Sequence, residues 1–248
     1  RREFFSRYHS MTSQEHFFMH GASNRFLVHF GEGNPEKLIE HIGEADGLLI
    51  VTEDESSDAF MRVFNMDGTE AKQCGNGLRC VALHLVRSKL VQSNELTIRT
   101  LAGVSNCIVR ESCNEVEVTL CVPKKEHLVL PAFPELVYVD MGNPNVVYWT
   151  EEDPLKLRAE LGETISSDSL FADGMNVHFA RKDGEQYATC ATYERGVGNT
   201  HASGTGGASV FVASGASGLF YVSSVGGTLT YRYNDHGEVV MAGPAVYE

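Results

Sequence analysis

Most of the chain is written in short apolar runs. RFLVHF (25–30), LLIVTE (48–53), FMRVFN (60–65), LTIRTL (96–101) and EVEVTL (115–120) are rich in β-branched and aromatic residues, as are VVYWT (146–150), MNVHFARK (175–182), YATCATYE (187–194) and TLTYRY (228–233). They are bounded by Gly, Asp or Asn, residues that turn a chain, so each predicts a strand. Two segments break the pattern. From Asn76 to about Leu90, NGLRCVALHLVRSKL places apolar residues at helical spacing and is apolar on nearly all sides through Val86, which predicts a buried helix. From Thr205 to about Ser217, TGGASVFVASGAS has the small residues of a tightly packed helix, although its Gly and β-branched content opposes one on propensity.

The same features occur twice in one order. Setting Cys74 on Ser203 gives an offset of 129 residues. Ten residues before each anchor stands an aromatic followed by a polar residue, Phe64-Asn65 and Tyr193-Glu194. Further upstream, Ala-Asp-Gly begins at Ala45 and at Ala172, and a Gly is followed three residues later by an Asn at Gly21/Asn24 and Gly142/Asn145. Downstream, LTIRTLAGVSNCIV answers to VSSVGGTLTYRY and EVEVTLCVP to GEVVMAGPAV. Matches in that order imply a duplication. The second helix gains support from the first. Each half reads as many strands around one central helix, so two similar α+β lobes are expected. The boundaries are an N-terminal extension or tag remnant at 1–17, a first lobe at 18–125 and a second at 126–248, with the last residues returning to the first lobe. The break falls in the charged, Pro-bearing stretch Val122 to Val137.

Charge and composition narrow the partners. The net charge of −13 argues against nucleic acid and against an anionic membrane surface. It leaves room for a small anionic substrate at a locally positive site. No apolar run approaches the roughly 18 residues that span a bilayer. The N-terminal stretch carries positive charge but no continuous apolar region, so it is not expected to be a signal peptide. Six cysteines, Cys74, Cys80, Cys107, Cys113, Cys121 and Cys190, are expected to be mostly buried, unpaired small apolar residues. The spacing of Cys74 and Cys80 does not fit a zinc knuckle.

Cys74 is the exception. In Cys74-Gly75-Asn76-Gly77 it stands at the head of the first helix, where backbone N–H groups lack internal partners and carry the positive end of the dipole. Such a start holds a carboxylate, the glycines let it approach, and a thiol there is more readily ionised. The second loop, GNTHASGTGG (198–207), has the same design with Ser203 in the thiol's place. If both loops meet one substrate, residues 74 and 203 flank the carbon next to its carboxylate. Two proton carriers on opposite faces of one carbon invert a stereocentre. Neither loop has the GxxxxGK[ST] spacing or the following Lys of a phosphate loop, and neither reads as GxGxxG in a parallel βαβ unit.

FNMDGTEAKQCGNGLRC (64–80) and YERGVGNTHASGTGG (193–207) resemble the two signature loops of the diaminopimelate epimerase family, and MHGASNRF, ADGLLIV, MGNPN, GMNVHF and MAGPA fall in that family's order. The resemblance runs from about Phe18 to the C-terminus. It implies two pseudo-symmetric lobes, each a barrel-like sheet around a central helix, with the active site in the cleft between them. It implies a cytoplasmic enzyme of lysine and peptidoglycan-precursor synthesis that works without pyridoxal phosphate or metal, as a homodimer. Cys74 matches the first catalytic cysteine, Ser203 takes the place of the second, and Glu194 matches the motif acid. Gly75, Asn76, Gly204 and Thr205 match the cradle of the reacting carboxylate. Asn24, Asn65, Asn143, Asn145, Asn176 and Arg195 match substrate-binding positions, and the planar fork of Arg195 suits a distal carboxylate.

Three positions depart from the family. Asn145 stands where the family has His, and it can hydrogen-bond a substrate but cannot titrate. Arg25 stands where the family often has Asp. Ser203 has a far higher pKa than a thiol, and no activating base is evident beside it in the sequence. An introduced Cys→Ser change and a natural variant both account for Ser203. The alternatives carried forward are a racemase of another polar amino acid such as histidine or glutamate, a one-base isomerase or dehydratase using Cys74 alone, and a binding protein without turnover.

Overall fold

The apolar runs form strands wherever β-branched and aromatic side chains can alternate between a buried and an open face. A computed structural model describes residues 16–127, 133, 136–171 and 174–248. The N-terminal stretch before His16, part of the break expected between Val122 and Val137, and Ala172 with Asp173 of the second Ala-Asp-Gly lie outside them. The chain divides into two compact units. One takes in the chain up to Thr119 and adds Ala242–Glu248, and the other is Leu120–Met241.

In the first unit, strands β1 (His16–Gly21) and β2 (Asn24–Phe30) form an antiparallel hairpin. Its two central residues, Ala22 and Ser23, both have positive φ (53° and 60°). This is a hairpin turn whose twist matches the strands, held here without glycine. A short helix α1 (Pro35–Ile39) crosses to β3 (Gly47–Thr52), which runs parallel to β2. Strand β4 (Ala59–Asn65) returns antiparallel, and the two-residue β5 (Glu70–Ala71) closes a turn on it. Helix α2 (Gly75–Arg87) follows, then β6 (Glu95–Thr100) parallel to β4, and β7 (Gly103–Arg110) and β8 (Glu115–Thr119) in antiparallel succession. Residues Gly75 to Val86 of α2 are all buried, and the helix touches β1, β2, β6, β7 and β8. The sheet therefore curls around it.

The second unit repeats that connectivity. After β9 (Lys124–His127), β10 (Leu136–Asp140) and β11 (Pro144–Trp149) make the hairpin, and helix α3 (Pro154–Ser166) crosses to β12 (Asn176–Gly184), parallel to β11. Strand β13 (Tyr187–Glu194) returns antiparallel, with β14 (Gly198–Thr200) turning back on it. Helix α4 (Gly204–Ser214) follows, then β15 (Phe220–Ser224) parallel to β13 and β16 (Gly227–Tyr233) antiparallel to β15. Strand β17 (Val239–Pro244) follows, and β18 (Val246–Tyr247), which pairs antiparallel with β1, falls in the first unit. Helix α4 touches β10, β11, β12, β13, β15 and β16. The fold is α+β, each unit a barrel-like sheet around one central helix.

The two crossover helices were not foreseen in the hydrophobic pattern. Their signals are local. Asn34 and Asp153 cap them by accepting from Lys37 and Leu155 N–H, and each is followed by a Pro at the first helical position. None of the six cysteines, all among the described residues, forms a disulfide. Cys80, Cys107 and Cys190 are buried as expected, and burial pushes their thiols up to about 12. Cys113 departs from the expectation because it lies on the exposed turn before β8. Among the described residues, no helix is long and apolar enough to cross a membrane.

Candidate active site

Each central helix begins with one of the two loops. Cys74 is the N-cap of α2, in extended backbone (φ −144°, ψ 111°), and its Sγ accepts the Gly77 N–H at 3.5 Å. The thiol is only partly exposed and lies 3.9 Å from Asn24 Oδ1. That oxygen also accepts from Asn76 Nδ2 at 3.2 Å. Asn24 is oriented by Asp46, whose Oδ2 accepts from Asn24 Nδ2 at 3.0 Å and from the Arg25 N–H at 2.7 Å. Asp46, the acid of the first Ala-Asp-Gly, was read from sequence only as a mark of the repeat. Cys74, Asn24, Gly75 and Asn76 are therefore brought together. Gly21 permits it, since a Cβ there would meet Arg79 Nη2 at 3.0 Å and the Asn76 carbonyl at 3.1 Å. Buried Arg79 in turn donates to the Pro244 carbonyl at 3.2 Å. Asn65, at the end of β4, donates from Nδ2 to Thr69 Oγ1 at 2.9 Å.

The second loop has the same backbone. Ser203 caps α4 (φ −133°, ψ 122°), and its Oγ accepts the Gly206 N–H at 3.1 Å. Its neighbourhood differs from the sequence expectation. The Ser203 hydroxyl stands close enough to the Glu194 carboxyl to lower its pKa, so a titratable group does stand beside the hydroxyl. Burial raises the Glu194 pKa above the ordinary carboxylate range, while the Ser203 hydroxyl pulls against that rise. Strand β13 ends at Glu194, and β14 folds back to pair Glu194 with Gly198, which returns the chain toward Ser203. Buried Gly204 gives its carbonyl to the Tyr231 hydroxyl at 3.0 Å, and Thr205 Oγ1 accepts from Asn143 Nδ2 at 3.5 Å.

The remaining residues of this unit form one polar cluster. Asn176 Oδ1 accepts the Arg195 N–H at 3.0 Å, and Asn176 Nδ2 reaches Asn145 Oδ1 at 3.4 Å. The exposed Arg195 side chain crosses over Gly174, whose φ of +75° keeps that position free of a Cβ. Asn145 corrects an expectation. It is 0% exposed, and its amide is spent on neighbours, with Nδ2 on the carbonyls of Asn143 (2.7 Å) and Val139 (3.3 Å) and Oδ1 facing His178 Nε2 (2.9 Å). It supports Asn143 and Asn176 from beneath. His178, which organises this cluster, was not singled out in the sequence, where it sits as one position of a strand.

The diaminopimelate epimerase family model matches residues 36–125 and 137–248. The diaminopimelate epimerase of Bacillus subtilis (strain 168) is 32% identical over 266 residues, covering 92% of this chain and 94% of that protein. Solved structures share the fold. A phenazine biosynthesis protein of the PhzF family from Bacillus anthracis superposes with a TM-score of 0.70 at 16% identity, covering 94% of this chain and 96% of that one. A hydroxyproline epimerase from Agrobacterium vitis, solved with bound trans-4-hydroxy-L-proline, gives 0.62 at 14% identity over 94% and 88% of the two chains.

Proposed function

The chain belongs to the diaminopimelate epimerase family and is an isomerase of the amino-acid epimerase and racemase class, and from that premise we propose that it interconverts LL- and meso-2,6-diaminopimelate by moving a proton at Cα. The observation that carries this reading is the Cys74 cap, a partly exposed thiol at the head of a helix buried from Gly75 to Val86. The substrate carboxylate binds the free N–H groups at the helix starts, which also take up the charge that develops when Cα loses its proton. Cys74 as thiolate removes that proton. Inversion requires a proton delivered to the opposite face. There the Ser203 hydroxyl gives its proton to Cα and takes one from the Glu194 carboxyl, whose pKa burial raises. The reverse reaction runs the same steps backwards.

Two further observations support the reading. Buried Asn76 Oδ1 has no hydrogen-bond partner among the described residues, an arrangement that costs free energy until an N–H such as the substrate ammonium meets it. Arg25, whose charge raised doubt about the substrate, is held by Glu248 (Nε to Oε2, 2.6 Å) and lies over the Phe18 ring at 4.4 Å. Its charge is answered within its own unit, which favours diaminopimelate over a differently charged amino acid.

The test is Cα proton exchange in D₂O with diaminopimelate and a panel of amino acids. The protein should exchange and invert diaminopimelate, and Ser203→Cys should raise inversion about 100-fold, the scale of a well-placed general acid or base. Absence of exchange on any amino acid in both forms would sink the epimerase reading. Exchange without inversion would replace it with one-base chemistry.

A further inference from the structure

The offset that sets Cys74 on Ser203 also sets Leu49 on His178 and Gly77 on Gly206. The structure keeps these equivalences. A Cβ on Gly77 would meet Leu49 Cδ2 at 2.9 Å, and a Cβ on Gly206 would meet His178 Cε1 at 2.5 Å. Each central helix thus rests its first turn on the same position of the same strand. In one unit that position is an ordinary core leucine. In the other it is a histidine, 0% exposed, which a purely structural role would not require.

The imidazole has a complete set of partners. Asn145 Nδ2 faces two carbonyls, so Asn145 Oδ1 faces His178, and His178 Nε2 must donate. Nδ1 then accepts from Thr192 Oγ1 at 3.0 Å. Burial lowers the His178 pKa to about 3, so the ring stays neutral and one tautomer is fixed. Asn145 Oδ1 accepts a second hydrogen bond from Asn176, and Asn145 Nδ2 also lies 3.1 Å from Asn143 Oδ1. Asn143 in turn reaches Thr205 in the first turn of α4. One ring therefore underlies both the Asn143/Asn176 edge and the first turn of α4.

We propose that His178 is a positioning residue that fixes the rotamer of the Asn145 amide and the seat of the α4 N-terminus, and so sets the binding edge made by Asn143, Asn176 and Thr205. The proposal deepens the proposed function, since it rests on those three residues holding substrate. In the first unit the corresponding Asn24 is oriented by Asp46 on the strand's rim, and Leu49 has no such task.

The test has two arms. In ¹⁵N-histidine-labelled protein without ligand, the His178 ring should be neutral with its proton on Nε2. A proton on Nδ1 would overturn the proposal. In calorimetric titrations with LL-diaminopimelate, His178→Phe, which keeps a ring but offers no N–H, should weaken binding about tenfold, the scale of losing one buried hydrogen bond. His178→Gln, which restores a donor, should recover most of that loss. A folded His178→Phe protein that binds like the parent would overturn the proposal. Should His178→Phe fail to fold, Thr192→Val decides by the same labelling. Removing the hydroxyl whose proton Nδ1 accepts should leave the ring proton on Nε2, held there by Asn145 Oδ1, and a proton that moves to Nδ1 would overturn the proposal. If the parent itself fails to bind diaminopimelate, the functional reading falls, while the tautomer still decides the role of His178.

Discussion

At the head of α2 a thiol accepts the Gly77 N–H at 3.5 Å, and at the head of α4 a hydroxyl accepts the Gly206 N–H at 3.1 Å. The caps differ by about 10° in each torsion, φ −144° and ψ 111° against φ −133° and ψ 122°. What differs is the company. Beside Cys74 stands the Asn24 amide, which cannot titrate, and the proposed reaction gives the proton to the sulfur itself. Beside Ser203 stands the Glu194 carboxyl, which can. The two caps share nearly one backbone, and in the proposed reaction the proton chemistry of each half is set by a side chain from outside its helix.

The comparison can be broken most decisively at Cys74. Cys74→Ala should lower Cα exchange about 1,000-fold while leaving the far-ultraviolet circular dichroism unchanged, because it removes the proposed proton carrier. Loss of only a few-fold would show that the two halves are not divided in this way. Glu194→Gln should lower inversion about 100-fold in the parent and much less in Ser203→Cys, where a thiol supplies its own proton. Equal losses in both backgrounds would remove Glu194 from the relay and leave it a structural acid.

Smaller effects test what lies under each cap. Gly206→Ala drives a Cβ onto the buried imidazole and should cost about 2 kcal/mol in chemical denaturation, whereas Gly77→Ala meets the movable end of Leu49 and should cost about 1 kcal/mol. The reverse order would mean that His178 is the softer support. The smallest effect is on pH dependence. Glu194 holds a raised pKa in the folded chain, so it favours the fold at low pH, and this contribution is lost as pH rises from the ordinary carboxylate range through the raised value. Glu194→Gln should remove that slope from the stability profile.

The loops and the doubled architecture were legible because turn glycines, the Gly/Asn pairs and the Ala-Asp-Gly marks hold their spacing in any register of packing. The crossover helices were overlooked although Asn34-Pro35 and Asp153-Pro154 announce them. The burial of Asn145 was not legible, because period-two alternation says that residues share a face without saying what covers it. For the same reason His178 read as one more strand position. The Ser203–Glu194 contact depends on β14 folding back over β13, a pairing of three residues that leaves almost no trace in sequence.

The cap geometry has a consequence for how such a chain is kept in a cell. Folding asks the atom at position 203 for a lone pair facing an N–H, and oxygen supplies that at least as well as sulfur does. The proposed reaction asks the same atom for a proton that leaves easily, and there oxygen is the poorer choice. Surveillance by chaperones and proteases reads only the first property. The parent chain and its Ser203→Cys variant are therefore expected to match in stability and to differ in the proposed turnover.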